Sequence, residues 1–399
     1  MRSGGLGRAA ARVGVAGLWL SAALCLVAYA ARVRGHWALN DFRLYLAGAQ
    51  VGLRYGWDRI YDHGLQQQMV ALLQPPAQWY ALLTPPPITW LVAPLTLLPY
   101  PLAYALWSAL VAALLGLAFF LARPRAGVFR TAYLAWTLAL FPVWFTVYEG
   151  QASGLAAFSV VLCWWLLDRR RDLLAGLALT PILLKPHLAL LLPLVLLAAR
   201  RWTAFGAWAA ASALVAGLSV LTLGIGGAHA YLVELLAPQP YSDVWATPAG
   251  QIGRPAATAV GLAAALAVLL VTNRERRGDL RAAFALAILA SFALATYWHP
   301  QDYLIFGIAA ALQLGSPARP PALALLALAG VAVLSSPLNP QFTQWMSFGP
   351  APWLWFLLAL AWLAWSAALA WRPRDPDASR LRPASAPEAG VPTTARPGG

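Results

Sequence analysis

A carboxylate at the start of a helix, just outside an apolar run, can take a proton from a hydroxyl that comes within ~3 Å of it. Asp41 stands in such a place. It follows the apolar run 13–31 by about ten residues and precedes Phe42-Arg43-Leu44-Tyr45-Leu46-Ala47. The same side chain suits a plainer role as a cap at the positive end of the helix dipole, and the two roles are compatible. Lys185 is the only lysine among 28 basic residues, and it lies between two short apolar segments. A lysine at membrane depth is costly and usually functional. Its alternative is a side chain that snorkels to the surface or pairs with an outer carboxylate. Gln151, His187, His299 and Asp302 add further polarity at the ends of apolar runs. The five histidines (36, 63, 187, 229 and 299) show neither a His-Glu-x-x-His pattern nor a Cys–His spacing, so no metal centre is expected. There is no Walker loop and no Gly-x-Gly-x-x-Gly, so neither a nucleotide-sugar site nor any cofactor is expected.

These residues need elements to hold them, and composition says which. Of the 399 residues, 61% are apolar and 11% charged, against ~45–50% and ~25% for a soluble domain. A soluble domain and a largely disordered chain are both excluded. The excess of 28 basic over 14 acidic residues falls in short arginine clusters between apolar runs, the pattern of a membrane protein rather than of a nucleic-acid binder. A bilayer core of ~30 Å takes about 20 helical residues. Candidate spans are 13–31, 100–122, 131–148, 152–167, 173–184, 187–199, 203–224, 255–271, 280–298, 303–315, 322–336 and 352–371. With a cytoplasmic N-terminus, 21 of the 28 basic residues fall inside, which orients the chain and puts both termini in the cytoplasm of a multi-pass inner-membrane protein. Ala28-Tyr29-Ala30 resembles a signal-peptidase site, so cleavage is the alternative for the first span. Cys25 and Cys163 lie in apolar runs and read as small core residues. The expected fold is an all-α polytopic bundle of about 10–12 transmembrane helices. It comprises a cytoplasmic segment 1–12, a membrane domain 13–371 and a disordered tail 372–399.

Several of these segments are short. The pair 173–184 and 187–199 covers only about 18–20 Å each at ~1.5 Å per residue, and meets at Lys185-Pro186-His187. A tilted hairpin, or one bent helix dipping in and back, fits. The stretch 86–98, bounded by Pro85-Pro86-Pro87 and Pro99, is also short and reads as re-entrant or interfacial. Backbone of this kind at membrane depth is tolerated where it is buried or lines a wet cavity. In the outer loop 32–85, Phe42, Tyr45, Leu46, Ala49 and Leu53 recur at helical spacing with Arg43, Gln50 and Arg54 elsewhere. This is expected to form an amphipathic helix on the outer surface. Asp58 and Asp62 are expected to shape the turn around Gly56, while Glu149 and Glu234 receive no role. Most unusual polarity therefore gathers at the outer face.

An acidic residue just after the first span, then an interfacial helix and a polytopic body, resembles the GT-C glycosyltransferases. More narrowly, the chain resembles glycosyltransferase family 87, the polyprenol-phosphate-mannose-dependent alpha-mannosyltransferases. The residues that carry the resemblance are Asp41 to Tyr45 with Gly56 and Ile60-Tyr61-Asp62, then Thr84-Pro85-Pro86 with Ala93-Pro94-Leu95. Gly150-Gln151 and Leu184-Lys185-Pro186 complete it. Thr84 stands where the family usually has Tyr, Ser153 where Asn is common, and Trp298 to Tyr303 matches the late outer motif only loosely. The resemblance implies transfer of a sugar, mannose by the family pattern, from a polyprenyl-phosphate carrier in the outer leaflet to an acceptor hydroxyl. The acceptor is a glycolipid, an envelope polysaccharide or another envelope molecule, and no nucleic acid is a partner. The implied displacement is inverting, with Asp41 as general base and Lys185 as the cation for the leaving phosphate, supported by His299 or an outer arginine. Gln151, His299, Asp302 and Tyr45 are the substrate-binding candidates. For Gln151 a helix cap, and for the end of the span at 297–298 an ordinary aromatic belt, are the alternatives.

The rival from another class is a multi-span transporter or lipid flippase, which broken helices would suit. Against it, the polar residues concentrate at one face and no inverted repeat is visible. A non-catalytic scaffold, supported only by the 20 tryptophans, is the third reading.

Overall fold

In hydrocarbon a chain must satisfy its own backbone donors and acceptors, and a helix does this within each segment. The computed structural model describes residues 3–36, 40–73, 79–123, 129–237, 247–275 and 278–314, with Ala364 and Ala368. Helix accounts for 84% of it, with no strand among the described residues. In chain order the helices are α1 (Ser3–His36), α2 (Phe42–Tyr55), α3 (His63–Leu73), α4 (Pro87–Val92), α5 (Tyr100–Ala122), α6 (Phe129–Ala139), α7 (Phe141–Glu149) and α8 (Ser153–Asp168). There follow α9 (Asp172–Leu179), α10 (Leu192–Ala198), α11 (Trp202–Leu236), α12 (Pro248–Ile252), α13 (Arg254–Glu275), α14 (Arg281–Ala293) and α15 (Leu304–Leu314). The chain is an all-α, polytopic membrane protein.

The spans separate into two kinds. Four helices are long and apolar enough to cross a bilayer, at Arg12–Gly35, Tyr100–Ala122, Trp202–Leu236 and Arg254–Arg274. The pair α6–α7, bent by 52°, makes a fifth when counted as one span. The expected straight span 131–148 is therefore broken. Leu140 takes an extended ψ of 100° and Pro142 opens the new helix, where its missing N–H costs nothing. The other expected crossings among the described residues are shorter helices within the bundle. All of α14 is buried, as is α15 up to Gln313, and an apolar helix buried all round sits in a core. Among the described residues, four or five helices are thus crossings by length and composition, with shorter apolar helices packed between them. The expected spans 322–336 and 352–371, and the tail 372–399, lie outside the described residues.

The short pair forms a re-entrant hairpin. α9 continues as a 3₁₀ turn (Thr180–Leu184), Lys185 breaks it at φ −147°, ψ 72°, and Pro186–Leu188 leads back to α10. Its two ends come together where Arg201 bonds Asp172 at 3.4 Å. α9 lies against α8 and α11. α11 runs past the expected end at 224, but Gly224 (φ 61°, ψ −178°) breaks it there. The part beyond packs on the outer loop, with Tyr231 on Tyr61 (4.9 Å) and Glu234 on His63 (2.7 Å).

The helix expected on the outer surface forms over nearly the expected residues, but it is not open to solvent on one side. Phe42 to Ala49, Val51 and Gly52 are buried, including Arg43, whereas Leu53 is exposed. The outer loop and the short stretch after it supply the cover: α3, α4 and the 3₁₀ turn Ala93–Leu97 all pack on α2. The turn at Gly56 is tied by Asp62, which accepts from the Leu65 N–H and from Arg59.

Candidate active site

The corner between α7 and α8 gathers most of the polar residues singled out above. α7 ends at Gly150, whose left-handed conformation (φ 62°, ψ 35°) suits glycine. A Cβ there would lie 2.7 Å from the Cβ of Phe42. The Trp107 indole donates to the Gly150 carbonyl at 2.6 Å, and the Tyr104 hydroxyl to that of Tyr148 at 2.7 Å. These contacts fix the start of α8 against the start of α2.

Across this junction Asp41 meets Gln151. Asp41 is the N-cap residue of α2, yet its side chain makes no cap bond. Its carboxylate accepts from the Gln151 amide on one oxygen and from the Tyr80 hydroxyl on the other. Its backbone N–H donates to Glu149 at 3.1 Å. The Gln151 amide oxygen in turn accepts from Tyr45 at 2.9 Å, so Gln151 is oriented from both sides. Burial raises the Asp41 carboxyl above its ordinary value, opposed by His299, Lys185, the Gln151 bond and Arg43. A carboxylate raised by burial is a stronger base than an exposed one, and the two donors fix where it points.

Two residues further on, Ser153 opens a second cluster. Asp302, fully buried, accepts on Oδ1 from Ser153 and from the Lys185 ammonium, both at 2.8 Å. On Oδ2 it accepts from the His299 backbone N–H at 3.2 Å and faces His187 Nε2 at 3.3 Å. Burial opposes its ionisation, but Lys185 and then His187 and His299 hold its carboxyl well below the usual carboxylate range. The His187 ring packs on Tyr297 (4.6 Å) and Trp298 (5.6 Å). A buried hydrogen-bonded pair, not a snorkelling side chain, is thus the setting of Lys185.

All six candidates fall in this region: Asp41, Gln151 and Tyr45 in one group, Lys185, Asp302 and His299 in the other, joined through α8. Tyr80, Ser153, Glu149 and His187 complete it. Glu149 and His187 were visible as outer polar residues, whereas nothing in the spacing marked Tyr80. Among the described residues, no three His, Cys, Asp or Glu side chains are grouped to hold a metal ion.

α7 also links the site to an apolar cavity of about 630 Å³ between α1, α5 and α6, walled by Tyr29, Leu115, Phe119, Trp144 and Val147. A buried carboxylate beside fixed hydrogen-bonding groups, next to apolar space, is an arrangement that can serve transfer of a polar group carried on a lipid.

Against known families, the model of glycosyltransferase family 87 matches residues 83–337. That range contains Gln151, Lys185, His299 and Asp302, while Asp41 and Tyr45 precede it. No curated protein and no solved structure matches the chain.

Proposed function

From the premise that the chain belongs to glycosyltransferase family 87, and is a membrane glycosyltransferase, we propose that it moves mannose from a polyprenyl-phosphate carrier to an acceptor hydroxyl at the outer face of the cytoplasmic membrane. Asp41 is the general base. It takes the proton of the acceptor hydroxyl as that oxygen bonds to the anomeric carbon. The bond from that carbon to the phosphate oxygen breaks, and its electron pair leaves with the lipid phosphate. One displacement inverts the anomeric centre, and the proton on Asp41 passes to water afterwards.

The observation that carries this reading is the Asp41 carboxylate, which leaves its helix uncapped and is held by Gln151 and Tyr80. Gln151 and Tyr45 present further donors and acceptors for sugar hydroxyls. The Lys185–Asp302 pair and His299 form the adjoining cluster, joined to them through Ser153 at the start of α8. The apolar cavity along α7 supports a lipid-linked substrate, because an isoprenoid chain needs space of that kind. The acceptor is an envelope glycolipid or polysaccharide, and no cofactor takes part.

The test is transfer of radiolabelled mannose from polyprenyl-phosphate-mannose in membranes carrying the protein. Membranes without it give the baseline, and Asp41→Asn runs alongside. The wild type is expected to transfer. Asp41→Asn is expected to lose at least ~100-fold, the lower end of what a positioned base supplies. A base must be ionised to act, so kcat/KM falls as pH drops through the raised Asp41 value, higher than for an ordinary aspartate. Full activity in Asp41→Asn would remove it as base. Transfer from a different prenyl-phosphate sugar, and none from mannose, would overturn the choice of sugar.

A further inference from the structure

Among the described residues three cations are buried: Arg43, Lys185 and Arg281. Two have partners. Lys185 bonds Asp302, and Arg281 lies 3.4 Å from both Asp279 and the Ala122 carbonyl, with its guanidinium over Trp164. Arg43, only 4% exposed, has neither a carboxylate at ion-pair distance nor a hydrogen-bond acceptor among the described residues, and its Nε is enclosed and unsatisfied. Its nearest aromatic neighbour is the Tyr80 ring, 5.9 Å from the guanidinium carbon. Tyr80 is half-exposed and donates to Asp41. Asp41 and Glu149 lie within the electrostatic reach of Arg43.

A buried charge without a partner is costly, and a folded chain keeps one where something else completes it. Arg43 sits in the first turn of α2, a 14-residue helix with no side-chain cap. Its N-terminal N–H groups and dipole favour an anion at the same end. A guanidinium presents its donors in a fork that matches phosphate oxygens. The Lys185 charge is already balanced by Asp302, so it is the poorer seat for an incoming anion.

We propose, building on the donor chemistry put forward above, that Arg43, and not Lys185, receives the phosphate of the prenyl-phosphate donor and holds it as the leaving group. The phosphate fills the unsatisfied side of the guanidinium and enters past Tyr80. The site is complete only with its donor bound.

Binding to the purified full chain in detergent tests this directly. Farnesyl phosphate is the probe, and farnesol, inorganic phosphate and phosphatidylglycerol are the controls. The variants are Arg43→Gln, Arg43→Met, Arg43→Lys and the double Lys185→Gln/Asp302→Asn, which removes the buried pair as a unit. Loss of a charge-assisted bond predicts about 10- to 100-fold weaker farnesyl phosphate binding in Arg43→Gln and Arg43→Met. Farnesol binding should not change, and Arg43→Lys should recover part of the loss. The double variant should change farnesyl phosphate binding much less. The thermal shift of the wild type on adding farnesyl phosphate should vanish with the neutral Arg43 variants, which should still elute as the folded species. Wild-type affinity in a neutral Arg43 variant, or a larger loss in the double variant, would overturn the assignment and leave the donor class standing. Equal Arg43-dependent binding of inorganic phosphate or phosphatidylglycerol would make this a general anion or headgroup site and overturn it too. A wild type that binds farnesyl phosphate no better than farnesol would overturn the lipid-phosphate donor itself.

Discussion

At Asp302 four donors converge on one fully buried carboxylate, so its ionised form is built into the fold. Its folded value lies well below the ordinary one. The stabilisation is therefore present above the unfolded carboxylate range and is lost as pH falls through the folded value. Asp302→Asn leaves Lys185 as an uncompensated buried charge, which is expected to cost about 3–5 kcal/mol. Replacing both partners is expected to cost much less. Thermal unfolding of the single and double variants between neutral and acid pH checks this. A single variant as stable as the wild type would mean that the pair contributes nothing. The sequence made the polar residues of this region legible because a polar group in a 61% apolar chain stands out. It could not say which carboxylate Lys185 meets, since 117 residues separate Lys185 from Asp302. Tyr80 was illegible for a like reason. It lies in the outer loop 39 residues from Asp41, and no local spacing joins its hydroxyl to that carboxylate.

Among the elements, the corner α7–Gly150–α8 decides the geometry. It turns through a left-handed residue and sets Gln151 toward Asp41 and Ser153 toward Asp302 within one turn of helix. Gly150→Ala must either strain the backbone by ~1–2 kcal/mol or push the new Cβ against Phe42, at 2.7 Å. The expected outcome is a protein less stable by at least about 1–2 kcal/mol. Sugar transfer should fall further than stability, because Gln151 shifts off Asp41. Melting and transfer assays on one preparation separate the two, and unchanged transfer would show that the corner does not position the site. The Gly-Gln pair and the broken Lys-Pro hairpin were both legible as local patterns. The setting of α2 was only half so. Its periodicity marked an apolar face, but periodicity says nothing of what covers the opposite face, and here Arg43 is buried as well, with its guanidinium toward the Tyr80 ring.

Over the whole molecule, hydropathy counts apolar runs but cannot tell a short crossing from a helix walled in by longer ones. α14, at 13 residues, is shorter than the ~20 needed, and it and the described part of α15 are buried on nearly every side. They belong to the interior around Asp302, so protein surrounds this charged cluster. The long helices α1, α5, α11 and α13 meet the bilayer, and their orientation decides which leaflet supplies the substrate. Arginines 169–171 and 200–201 cluster at the open end of the hairpin, while Lys185 and Asp302 lie at its tip. By the positive-inside bias the arginine end is expected to face the cytoplasm and the site to face out. Both native cysteines are free and buried, so single exposed cysteines report cleanly. Arg59 and Arg169 are each about half exposed, one beside the outer loop turn and one at the arginine end. In intact cells a membrane-impermeant maleimide is expected to label Arg59→Cys and to spare Arg169→Cys until the membrane is opened. The reverse pattern would put Asp41 and Arg43 at the cytoplasmic face. A donor in the outer leaflet could then not reach them, and the sugar would have to come from a carrier on the inside.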